Sequence, residues 1–209
     1  MGKYKVINRQ TTLENVEFSI ASADHHFDQI IQLQKDNHQK HLTSEQQNMG
    51  GFLFAEHTID VLKKMASKMP QVIAIRNGEV IGYNLAMDLS MQNDLPMLAP
   101  MFQQFEKSVY NGRPLKAYSF MVGGQVCVDE RFRGLGILNY LYQHTKILVR
   151  NRFRLCVTEI SSRNTVSLKS HQKMGFQLTD SYHDGKELWN IVVWDFERKE
   201  DNVNRNSTL

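Results

Sequence analysis

Apolar positions recur along the chain with two periods, about two and about 3.6, and the switches between them mark out an alternation of strands and helices. Val16 to Ala21 alternates through Val16, Phe18 and Ile20 and predicts an outer strand. Ser22 or Asp24 can cap a following helix, whose apolar face holds Phe27, Ile30, Ile31 and Gln34 until polar residues take over near Asn37. After a polar turn with Gly50-Gly51, Ala55, Ile59, Leu62, Ala66 and Met69 predict a helix from about Phe54 to Met69, stopped by Pro70. Gln71 to Ile75 and Glu79 to Met87 are strands joined at Asn77-Gly78, a strong hairpin signal. Further on come a strand over Tyr118 to Val128, a helix over Ile137 to Arg152 with Ile137, Leu138, Leu141, Thr145 and Leu148 inward, and a buried strand over Leu155 to Ile160. A helix over Asn164 to Met174, stopped by Gly175, precedes closing strands at Phe176 to Ser181 and Leu188 to Asp195, joined through Asp184-Gly185.

One interval does not fit this rhythm. The stretch at about 89–115 is punctuated by Pro96, Pro100 and Pro114, and Phe102, Phe105 and Val109 predict a helix within it, Met101 to Tyr110. A connection this long usually has a job. Met91, Met97, Met101 and Phe102 could form an adaptable apolar wall over a cleft, or the helix could cover a sheet edge or make a homodimer contact.

The most informative stretch is Gln125 to Asn139, where a strand passes through Arg131-Phe132-Arg133-Gly134-Leu135-Gly136 into a helix. The first N-H groups of a helix lack internal partners, and the helix dipole places partial positive charge there. Glycines without a Cβ let an anion approach those amides, and Arg131 and Arg133 add full charges, so the turn suits a phosphate or pyrophosphate. Such turns also occur without ligands. No Gly-Lys-Ser/Thr closes this one, and it lacks the third glycine of a dinucleotide fingerprint.

Composition narrows the classes. With 209 residues, 41% hydrophobic and 22% charged, the chain suits one domain, residues 1–196, with a polar tail at 197–209. A net charge of +3 is small, and Lys146, Arg150, Arg152 and Arg154 gather at a helix end where cations favour the dipole, so no nucleic-acid partner is expected. Cys127 and Cys156 fall in buried strands and read as reduced core thiols. His25, His26, His38 and His41 are joined by no carboxylate or cysteine pattern, and no metal is expected. The polar start Met-Gly-Lys-Tyr-Lys-Val lacks a signal-peptide core, and no run reaches membrane-spanning length, so no membrane partner is expected and the cytoplasm is the expected compartment.

Arg131-x-x-Gly134-x-Gly136 after a strand ending Val126-Cys127-Val128, followed by Asn164-x-x-Ser167-Leu168-x-x-His171-x-Lys173-Met174-Gly175-Phe176, resembles two successive motifs of the GNAT superfamily of acyl-CoA-dependent N-acyltransferases. The resemblance spans Val16 to Asp195 in element order and Val126 to Phe176 in motif detail. It implies a mixed α/β (α+β) fold with a central sheet of six to seven strands flanked by helices, and acetyl-CoA or another acyl-CoA as co-substrate. It implies a primary amine of a small molecule or amino-acid-like compound as acceptor. Backbone at Val126 and Val128 would hold the pantetheine arm, Arg131, Arg133, Gly134, Gly136 and Ile137 the pyrophosphate, and Asn164 would touch the cofactor, cap its helix, or both. Leu138 is bulkier than the residue often found there in the family. Gly123-Gly124 would fit a bulge in the strand.

Many relatives carry a tyrosine seven residues after the asparagine, placed to protonate the leaving thiolate. His171 stands there in this chain, either as an acid with a different pH range or as a packing residue. Glu159 is the best-placed carboxylate for a base, or makes a structural hydrogen bond. Tyr118 and Ser119 are weaker candidates. The alternative to an enzyme is an acyl-CoA-binding regulatory or structural domain that has lost its acid-base chemistry.

Overall fold

A computed structural model describes residues 13–198. Its strands are β1 (Val16–Ile20), β2 (Val72–Arg76), β3 (Glu79–Met87), the short pair β4 (Val109–Tyr110) and β5 (Arg113–Pro114), β6 (Phe120–Val128), β7 (Leu155–Ser161), β8 (Gln177–His183) and β9 (Leu188–Asp195). The helices are α1 (Asp24–Asn37), α2 (Ser44–Gly50), α3 (Ile59–Lys68), α4 (Ala99–Lys107), α5 (Ile137–Val149) and α6 (Thr165–Lys173). Of the tail expected at 197–209, residues 199–209 lie outside the described residues.

Seven strands form one sheet in the order β1-β2-β3-β6-β7-β9-β8, antiparallel throughout except where β6 meets β7. That parallel contact is short, pairing Phe120–Val122 with Leu155–Val157. Beyond it β6 stays with β3 while β7 continues along β9, so the sheet parts in its middle. A register shift between Leu85 and Ala86 leaves Gly124 as the extra residue, the bulge that the glycine pair predicts. Both glycines sit in tight quarters: a Cβ on Gly123 would lie 3.2 Å from the Cys156 sulfur, and one on Gly124 3.1 Å from Met87 Cε.

Helices cover both faces of the sheet. Phe27, Ile30 and Leu33 of α1, Leu62 and Met65 of α3, and Met101, Phe102 and Phe105 of α4 share a core with Tyr83, Leu85, Phe120 and Val122. Ile137 and Leu141 of α5 pack with Val72, Ala74 and Ile81, while Tyr142 and Val149 join Met121, Cys156, Phe176 and Trp194. The hairpin turn has positive φ at Asn77 and Gly78, as its sequence predicts.

Three differences from the sequence pattern have physical causes. The helix expected from Phe54 begins at Ile59, because Thr58, in extended conformation, caps it through Oγ1, which accepts from the Val61 amide at 3.3 Å. The polar turn before Gly51 contains α2, opened by a capping box in which Gln46 N donates to Thr43 Oγ1 and Thr43 N to Gln46 Oε1. Along α5, Leu148 is 47% exposed and Tyr142 and Val149 are buried instead, since a 3.6-residue period carries the inward face around the helix. The insertion is bound at both ends. Lys64 pairs with Asp94 at 2.5 Å, and Gln104 and Ser108 donate to Asp180 of β8 at 3.0 and 2.8 Å. Met91 and Met101 are buried within it and Met97 is 60% exposed, so these methionines do not form one wall.

Candidate active site

The parting of β6 from β7 opens a slot of about 390 Å³ that runs to the start of α5. Val126, Val128, Arg133, Gly134, Gly136, Ile137, Asn164 and His171 all line it. Gly134 and Gly136 have φ of 76° and 84°, the left-handed region where a Cβ is costly, and Gly136 is the N-cap of α5. Nothing lies within 4 Å of a Cβ built on Gly134, so the backbone there faces open space at the positive end of a 13-residue helix. That geometry fits a pyrophosphate.

The two arginines separate. Arg133 donates from Nε to the Val128 carbonyl at 3.0 Å and from its guanidinium to Asn37 Oδ1, which fixes it at the slot wall. Arg131 turns away: it is held by Asp129 at 2.7 Å and Glu79 at 2.5 Å and lines a neighbouring recess instead. The sequence could not reveal this, because Glu79 is distant in the chain.

A strap over residues 51–57 roofs the slot. Leu53 pairs with the end of α1, donating to Asn37 O and accepting from Gln39 N, each at 2.9 Å. His38 Nε2 donates to Phe54 O at 2.8 Å, Gln125 Nε2 to Ala55 O at 2.8 Å, and His57 N to Gln34 Oε1 at 2.9 Å. Asn164 Nδ2 donates to Phe52 O at 3.0 Å while its Oδ1 accepts from Ser167 N at 3.2 Å, so one side chain both caps α6 and holds the strap. Asn164→Ala is expected to destabilise the protein by about 1–3 kcal/mol, since it removes a cap and leaves a buried carbonyl unpaired. Denaturant unfolding of the variant checks this.

Beyond the bulge the slot meets a smaller cavity of about 120 Å³, lined by Phe54, Leu98, Met101, Gly124, Tyr142, Glu159 and Trp189 among others. Leu98 and Met101 bring the insertion to this wall. Phe54 and Trp189 rings lie 4.7 Å apart, and Thr158 Oγ1 donates to Gly123 O at 2.6 Å at the root of the split. Glu159 accepts from the Tyr182 hydroxyl at 2.6 Å. Burial pushes its carboxyl up to about 7, against the opposing hydrogen bond from Tyr182, with the Asp184 charge adding to the rise.

His171 lines both cavities and is 3% exposed. Its Nδ1 donates to the Ser167 carbonyl at 2.8 Å, which leaves Nε2 to accept from the Tyr142 hydroxyl at 2.8 Å. Burial pulls the imidazole down to about 4, partly offset by the Ser167 carbonyl. At neutral pH both ring nitrogens are therefore engaged and the ring is uncharged, which the motif position does not foretell. Tyr142 and Tyr182 are missed in the sequence because each reaches the site through a partner remote in the chain.

No family model matches the chain, and no curated protein matches it in sequence. Solved structures match its fold. A chain described as a GNAT-family acetyltransferase from Desulfovibrio desulfuricans superposes with a TM-score of 0.59 at 12% identity, covering 87% of this chain and 99% of its own. The ribosomal-protein-S18-alanine N-acetyltransferase of Escherichia coli gives 0.57 at 10% identity over 90% and 99%. The yncA protein of Salmonella typhimurium, solved with acetyl-CoA, gives 0.58 at 14% identity over 89% and 96%. At these identities the likeness is one of fold.

Proposed function

We propose, from the premise that this chain carries the GNAT acetyltransferase fold, that it transfers an acyl group, acetyl above all, from acyl-CoA to the primary amine of a small or amino-acid-like acceptor. The observation that carries this is the opening between β6 and β7, where the slot at the amides of α5 adjoins the smaller cavity lined by Glu159. A long thioester with a diphosphate at its far end suits that path.

Bound acyl-CoA supplies an activated acyl group. The chain's own residues then do three things. Gly134, Gly136 and Ile137 present amides to the diphosphate, with Arg133 beside them at the wall, while Val126 and Val128 offer unpaired strand edge to the amide-bearing arm. The strap and the aromatic pair Phe54 and Trp189 narrow the acceptor end and exclude water. Glu159, with a carboxyl held near 7, takes a proton from the incoming amine. We assign direct attack, in keeping with a Cys127 thiol that is buried in the core and pushed by that burial up to about 12.

Calorimetric titration with acetyl-CoA, with desulfo-CoA and ATP as controls, tests the first half. Binding that needs the pantetheine arm is expected, and no binding overturns the proposal. Acyl transfer to members of a primary-amine panel tests the second half; tight binding with no turnover on small amines or peptides points instead to a non-catalytic acyl-CoA-binding domain.

A further inference from the structure

The charges around the smaller cavity decide what kind of amine it can hold. Among the described residues that line it there is no lysine or arginine, and Glu159 is the one carboxylate. His171, the other group there that could turn positive, is kept neutral by burial. Arg163 stacks on the Phe52 and Phe54 rings, 5.2 and 6.0 Å from their centroids, but its guanidinium is spent on Glu187, donating to Oε2 from Nε at 3.0 Å and from Nη2 at 2.6 Å. An acceptor's ammonium therefore meets one balancing charge, and a second charge of either sign meets none. A carboxylate would face Glu159, and a second ammonium would lose its water without gaining a partner.

Much of the remaining wall is apolar and fixed in place. Leu98 and Met101 close it from the insertion, and the Phe54 and Trp189 rings meet at 58°. Trp189 Nε1 donates to Asp184 Oδ2 at 2.9 Å, while the Phe54 ring packs edge-on against Phe52 at 5.2 Å. Polar side chains on the wall are engaged within the fold: Gln125 with Tyr83 and Ala55 O, Thr158 with Gly123 O, and Ser161 with Glu187. The volume of about 120 Å³ suits one ring or a chain of about five carbons, since an apolar cavity of about 150 Å³ holds a benzene molecule.

Resting on the proposed acyl transfer, we infer that the acceptor is a small apolar amine whose ammonium is its only charge, and that Phe54 and Trp189 select it by its hydrocarbon end. This narrows the acceptor from small or amino-acid-like to the first of the two. Over the whole transfer such an ammonium loses two protons, one to solvent by way of Glu159 and one that ends on the CoA thiol, as the acyl C-S bond is exchanged for a C-N bond. Nothing in that balance needs a group on the acceptor beyond the amine. Its hydrocarbon end supplies the binding, by leaving water for the aromatic wall.

The test follows release of the CoA thiol with acceptors that differ by one group. At pH 8, kcat/KM for pentylamine is expected to exceed that for norleucine, which adds only a carboxylate, by about 100-fold or more. Norleucinamide keeps the bulk without the charge and is expected to regain about tenfold. Cadaverine, which adds a second ammonium to the same chain, is expected to fall about tenfold below pentylamine. Trp189→Ala, checked for folding by thermal melting and by desulfo-CoA affinity within about twofold, is expected to lower kcat/KM about tenfold for pentylamine and less than about twofold for methylamine, which is too short to reach the ring. Norleucine, cadaverine or a peptide used as well as pentylamine overturns the assignment, as does norleucinamide as poor as norleucine or a Trp189→Ala loss equal for the two alkylamines. Failure to bind desulfo-CoA, or binding with no turnover of any amine, overturns the acyl transfer as well; turnover with the wrong preference overturns this assignment alone.

Discussion

Gly134→Glu is expected to weaken CoA binding by about 1,000-fold or more in a protein that still folds. Two effects are separable at this position. Any side chain must adopt a φ of 76°, which costs about 1–2 kcal/mol for an L-residue. That cost is shared by Gly134→Ala, and since no atom lies within 4 Å of the new Cβ, alanine meets no clash. The glutamate adds a carboxylate where the slot would take a diphosphate. Like charges about 4 Å apart at an effective dielectric near 20 repel by about 4 kcal/mol, or three decades of affinity. Gly134→Ala should therefore lower stability by about 1–2 kcal/mol and affinity by less than tenfold. Calorimetry on the two variants separates charge from strain. Equal affinities for the unaltered protein and a folded Gly134→Glu would remove the glycine turn from the binding site.

The contrast explains what could be read in the sequence. Strand and helix order follow from local periodicity, and the glycine turn, the bulge at Gly124 and the Asn77-Gly78 hairpin follow from backbone chemistry that only certain residues permit. Those features are local, so the sequence carries them in full. The parted sheet is not local: it depends on β7 leaving β6 after Val157 to follow β9. The fate of each charged side chain is likewise decided by distant partners. Arg131 looks as well suited to a phosphate as Arg133 until Glu79 and Asp129 claim it. His171 reads equally as an acid or as a packing residue until the Ser167 carbonyl and the Tyr142 hydroxyl are seen to occupy both nitrogens. The strap was hidden for a different reason, because Ala55 and Ile59 mimic a helical face that Thr58 interrupts.

Glu159→Gln is expected to lower kcat by about 100- to 1,000-fold at pH 8 and to flatten the acid limb of the rate profile. The sign follows from burial. A carboxyl raised to about 7 is protonated below that value and cannot accept a proton, so under the proposed function the activity of the unaltered protein should fall about tenfold per unit as pH drops below about 7. Tyr182→Phe removes the hydrogen bond that favours the carboxylate, so the limb should move to higher pH rather than vanish. Stability should move the other way. The folded state binds this proton more tightly than the unfolded chain, whose carboxyl titrates at about 4.5. The ionised group therefore lowers stability progressively as pH rises from about 4.5 to about 7, by on the order of 2–3 kcal/mol at the top of that window. Glutamine has no charge to desolvate and can still accept from Tyr182, so Glu159→Gln should unfold at higher denaturant than the unaltered protein at pH 8 and at similar denaturant at pH 4. A variant that is slower and more stable only above pH 7 is the signature of a buried base kept for its chemistry. Loss of activity without that pH-dependent gain would mean that Glu159 holds the wall between β7 and β8 and moves no proton.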